Sequence, residues 1–121
     1  MAEPIATGIA FVREACAGTE VWTIWDGGGL PTAMTRQGET AIPFWSSEWR
    51  AWAFIESAAQ YGEYHPRNVP LLVFLDELLP AFDSHGLRVG TNWEAPGAVG
   101  HDANAAGVAA AIRALKDAGI G

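Results

Sequence analysis

The sequence predicts an α+β domain: an antiparallel β-meander, with one later strand added to its sheet, packed against three to four helices. Three observations lead there. The chain has 121 residues, enough for one hydrophobic core and too few for two. Half of the residues are hydrophobic and only 17% are charged, so there is ample apolar surface to offset chain entropy. The patterning also changes along the chain, from helical spacing to short aromatic and β-branched runs between glycine turns, then back to helical spacing.

The first element, over 1–18, is expected to be a helix. Ile5, Ile9, Val12 and Cys16 make one apolar stripe, Pro4 suits a first turn and Gly18 a stop. Residues 21–25 form a strand rich in β-branched and aromatic side chains, apolar on both faces and so suited to a central position. Asp26-Gly27-Gly28-Gly29 is a turn, because glycine enters the left-handed region without a Cβ clash. A second strand over 30–35, with Pro31 at its start or on an edge, a turn at 36–39 and a third strand over 40–45 complete the meander. Ser46 or Ser47 then caps a helix running to about residue 61. Its apolar side carries Ala51, Trp52, Ile55, Ala58 and Ala59; Arg50, Glu56, Ser57 and Gln60 lie opposite, and Trp49 falls on that polar side.

Residues 64–69 are a loop or short extended piece, since positions before proline avoid the helical region. Pro70 opens the next helix, and Asp76, Glu77, Asp83 and Ser84 are its wet side. Pro80 predicts a kink or restart and Gly86 ends the unit. A strand returns over 87–93, followed by a proline- and glycine-containing loop over 94–100. Asp102 is placed to cap a final helix within 101–119, with a stripe of Val108, Ala111, Ile112 and Leu115. Alanine crowds the rest of that helix, which suggests a peripheral or dimer-forming element.

Four segments, VWTIWDGGG, IPFWSSEWRAWAF, PRNVPLLVFLDELLPAF and GLRVGTNW, together resemble the bacterial family called domain of unknown function 2750, over about residues 21–93. The resemblance implies a small standalone bacterial protein. The family has no agreed activity, so no catalytic role is carried to any residue here.

Candidate chemistry is sparse. The glycine turn has no following lysine and leads into a strand, so it lacks the features of a Walker loop and of a dinucleotide fingerprint. His65, His85 and His101 stand far from one another and from Cys16, without the spacing of metal ligands. His65, His101-Asp102 and Asp117 repeat the ligand order of HD-type phosphohydrolases, but those are helical proteins and the front half of this chain is strand-rich. Neither a metal nor a cofactor is expected. Cys16 lies late in a helix on the apolar stripe and reads as core, while Ser46-Ser47 lacks a nucleophile elbow. No catalytic constellation emerges.

Binding is the better-supported expectation. The formal charge of -7 argues against a nucleic-acid partner and for a basic protein partner. Asp76, Glu77 and Asp83 form an acidic helix side, and 68–87 contains no lysine or arginine. Among six tryptophans, Trp22, Trp25 and Trp52 fit the core and Trp45 packs at a strand end. Trp49, with Arg50 and Glu56 nearby, is either a contact hot spot or is covered by the first strands or the N-terminal helix. The leading expectation is therefore a small acidic protein-binding module of the cytoplasm, immunity-like in profile. One alternative is a ligand-binding protein or minor enzyme with a pocket of Asp26, His65 and Arg67 under the tryptophan-rich sheet; another is a homo-oligomer built through the last helix. A lone cysteine, no basic leader and no apolar run longer than 69–75 fit the cytoplasm and no membrane.

Overall fold

The computed structural model describes residues 4–28, 33–34, 38–57, 61–94 and 102–119. Helix α1 (Pro4–Ala17) leads into β1 (Glu20–Trp25), then β2 (Ala33–Met34), β3 (Thr40–Phe44) and α2 (Glu48–Glu56). Strand β4 (His65–Pro70) follows, and then a continuous helical rod made of α3 (Leu71–Val73), a π-helical segment (Phe74–Leu78) and α4 (Leu79–Ser84). Strands β5 (Arg88–Thr91) and β6 (Asp102–Asn104) and helix α5 (Ala105–Asp117) complete the order. The α+β class is as the sequence predicts. No helix among the described residues is long and apolar enough to cross a membrane.

The strand pairing departs from a simple meander. β2 and β3 pair antiparallel as expected, but β1 pairs along its whole length with β4, Glu20 opposite Pro70 and Trp25 opposite His65. Proline makes 65–70 look like a loop. Yet Pro66 and Pro70 share one parity of an edge strand, where one row of N–H groups needs no partner. β1 is still central in the sense its apolar faces demand. Its other edge meets β3 through a reciprocal pair of hydrogen bonds between Trp22 and Trp45, both 2.7 Å. The later strand joins as expected: β5 runs parallel to β3, and β6 closes the four-stranded sheet antiparallel to β5. Parallel pairing requires a long crossover, here everything from α2 to α4.

Two apolar clusters flank β1. The larger gathers Phe11, Phe44, Phe74, Leu79, Val89 and Ile112, among others, with the Phe44 and Phe74 rings 4.8 Å apart. The smaller joins Ile24, Trp45, Phe54, Ile55 and Trp93 under α2. Trp45 is fully buried, and its indole N–H donates to the Trp93 carbonyl at 2.8 Å. Cys16 is buried, as its place in the sequence suggests.

Several local expectations change. α1 turns Phe11 and Ala15 inward, whereas Ile9 on the expected stripe is 52% exposed. α2 ends at Glu56 and buries Ala51, Phe54 and Ile55. Trp52, expected in the core, lies at the edge of that face and is 39% exposed; Trp25, at the very end of its strand, is 37% exposed. Asp102 does not cap the last helix: it belongs to β6 and pairs with Arg88, and Asn104 is the cap, its Oδ1 accepting from the Gly107 N–H at 2.6 Å. α5 is not peripheral, because Ala105, Val108 and Ile112 complete the larger cluster. The rod does not restart at Pro80 but runs through it without a break, and the wider π turn comes just before it. Pro31 and the residues at 35–37 lie outside the described residues.

Candidate functional site

The first residues of α2 are held by a polar knot. Ser47 occupies the N-cap position with extended backbone but makes no side-chain cap. The neighbouring Ser46 reaches outward instead. Its backbone N–H donates to Asn92 Oδ1 at 2.9 Å, its hydroxyl donates to Glu14 at 2.6 Å, and the Asn92 amide donates back to that hydroxyl at 3.0 Å. Asn92 is buried and left-handed at φ 53°, a region asparagine enters more readily than most residues. Arg50 closes the knot with two bonds to Glu14, 3.0 and 2.8 Å long. The hydrogen bond from Arg50 is the main cause that lowers the Glu14 carboxyl below its usual range; partial burial opposes it, and Ser46 helps.

This anchoring fixes which side of α2 meets solvent. Trp49 is 66% exposed, and the Arg50 guanidinium lies 4.7 Å from its ring centre, a cation–π distance. Trp52, three residues on and therefore adjacent on the helix surface, donates its indole N–H to Glu48 at 3.3 Å. Its ring meets His65 edge to face at 6.4 Å. Across the β1–β4 ladder, His65 stands opposite Trp25, and the Arg67 guanidinium lies 4.7 Å over the Trp25 ring. Trp49, Trp52, His65, Trp25 and Arg67 thus form one continuous strip over α2 and the end of the β1–β4 ribbon.

The residues marked out by the sequence divide around this strip. Asp26 follows Trp25 in the chain, His65 stands opposite Trp25 in the ladder and Arg67 lies over its ring, and none of the three lines the open groove that runs between α1 and α5. Asp26 accepts from the Gly28 N–H at 2.8 Å and sits beside Tyr64, whose hydroxyl is raised above its ordinary value by burial first and by Asp26 second. Trp49 and Arg50 belong to the strip, with Arg50 also bound to Glu14; Glu56 is exposed at the end of α2. The acidic helix side lies elsewhere. Asp76 is paired with Arg113 of α5 at 2.7 Å, and Glu77 and Asp83 are exposed. Among the described residues no three histidine, cysteine, aspartate or glutamate side chains group closely enough to hold a metal ion. His101 lies outside the described residues.

Sequence reasoning missed the exposure of Trp25 and Trp52. A signal was present: with Trp49 on the polar side of the helix, a residue three positions on lies only about 60° away.

The sequence matches the profile of the family described as "Protein of unknown function (DUF2750)" over residues 9–112, and the chain belongs to that family. The match extends past the strand-rich middle into both flanking helices. A search of curated proteins found no match. Among solved structures, "Anabaena Tic22 (protein transport)" is similar with a TM-score of 0.40 and 16% identity, over 74% of this chain. This chain spans 45% of the length of that one.

Proposed function

We propose that this member of the DUF2750 family is a protein-binding module whose contact face is the tryptophan strip. The observation that carries the reading is the exposure of three indoles, Trp49, Trp52 and Trp25, on adjoining elements. Large aromatics are normally buried, and tryptophan with arginine is the side-chain pairing enriched at interface hot spots. Arg50 and Arg67 lie against two of these rings, so the strip is partly ordered before a partner arrives. The formal charge of -7 favours fast encounter with a basic partner, and Glu77 and Asp83 supply exposed negative charge on the rod. An immunity-like role, neutralising a basic protein in the bacterial cytoplasm, is the specific form this reading takes.

Affinity capture from native lysate at low salt tests it, with the wild-type chain beside the Trp49→Ala/Trp52→Ala double variant. The expected result is a discrete protein retained by the wild type, lost by the variant and released by salt. Equal retention by both chains, or no retained protein, contradicts the reading.

A further inference from the structure

A second surface feature lies away from the strip. Between α1 and α5, over the β5–β6 edge, runs an open groove of about 780 Å³, within the range of small-molecule sites. Ile9 and Val12 line it from α1, and Ala111 and Leu115 from α5. Each pair belongs to an apolar stripe with the helical spacing of a core face. In the structure these stripes face an open space and stay partly uncovered: Ile9 and Ala111 are exposed, Val12 and Leu115 half-buried.

The groove is less acidic than the chain as a whole. Acids outnumber bases 14 to 7 overall, yet two arginines, Arg13 and Arg88, line the groove against one acid, Asp102. Arg88 is neutralised between Asp102 and Glu39, the latter at 3.8 Å. Arg13 is exposed and makes no ion pair with any described residue. Arg88 and its two acids together carry one negative charge, which Arg13 balances overall, so the groove is an apolar trough of no net charge in which Arg13 is a guanidinium without an ion pair to any described residue.

We infer that this groove binds a small amphipathic anion, an aliphatic carboxylate whose chain lies along Ile9, Val12 and Leu115 and whose carboxylate pairs with Arg13. The apolar walls bury the chain, and the guanidinium supplies charge-assisted hydrogen bonds to the head group. The inference is independent of the tryptophan strip, none of whose residues lines the groove.

The test is titration of isotopically labelled protein with decanoate, and separately with decanol, below their aggregation limits and followed by amide chemical shifts. Decanoate is expected to bind saturably, with the largest shifts at Val12, Val108 and Ala111 and none at Trp49. Arg13→Gln is expected to weaken decanoate by about tenfold, the effect of losing one charged contact, and to leave decanol unchanged. Ala111→Trp, at an exposed position, is expected to block both. No saturable binding, shifts centred on the tryptophan strip, or an Arg13→Gln variant that binds decanoate as the wild type does would each overturn the assignment. Arg13 is exposed, so that variant keeps the test decisive even if Ala111→Trp misfolds.

Discussion

Gly90 shows how closely individual residues fix the site. A Cβ added there would lie 2.4 Å from the Trp93 ring, and Trp93 in turn accepts the Trp45 indole N–H through its carbonyl. Gly90→Ala is therefore expected to destabilise the fold by about 1–3 kcal/mol in urea unfolding, as overpacking does. The tryptophans separate by the same logic. Trp45→Ala removes a fully buried ring and is expected to cost about 3–5 kcal/mol, whereas Trp49→Ala should change stability by no more than about 0.5 kcal/mol. Glu14 gives a pH prediction. Its pKa is lowered in the folded state, so its contribution is whole above the ordinary carboxylate range and fades as pH falls through the lowered folded value. Thermal melts taken from neutral pH into acid should show a steeper loss for the wild type than for Arg50→Gln. The effect will be small, since the pair is partly solvated. At this scale the sequence was informative wherever burial follows residue type, as for Cys16 and Trp45. It was silent where position within an element decides, as for Trp25 and Trp52, whose exposure follows from lying at a strand end and at the edge of a helix face.

Elements were legible where the apolar period was long and clean. α1, β1, β3, the rod and α5 all stand close to where spacing puts them. β4 was not, because Pro66 and Pro70 suppress strand propensity and only the presence of β1 on one side makes the ladder possible. β6 was hidden for a related reason: Asp102 is a good helix cap in sequence, and its pairing with Arg88 is a contact between distant segments. The groove was invisible as well. Spacing marks a helix stripe as apolar but does not say whether another element covers it. α5 yields a direct prediction. Removing residues 102–121 takes away β6 and three core side chains, Ala105, Val108 and Ile112, so the truncated chain is expected to lose cooperative unfolding by circular dichroism. Truncation therefore cannot report on self-association. Substituting glutamate at the exposed Ala110 and Ala114 and measuring solution mass can.

For the whole molecule, the rod and the strip present different charged groups to solvent. The rod carries Glu77 and Asp83, the strip carries indoles with arginines stacked on them, and Arg113 crosses from α5 to hold Asp76. Composition alone made the chain acidic and tryptophan-rich; the fold shows that Glu77 and Asp83 lie on the rod while Glu48 and Asp26 sit beside the exposed indoles. A partner steered by the acids and gripped by the indoles should therefore respond differently to two kinds of change. Neutralising Glu77 and Asp83 is expected to slow association and to flatten its salt dependence, while Trp49→Ala is expected to speed dissociation. The most direct measurement is site-specific photocrosslinking in living cells, with the reactive side chain placed at position 49 or, for comparison, at position 77. The account predicts a single discrete protein adduct from position 49 and little or none from position 77. Adducts from position 77 alone would contradict it.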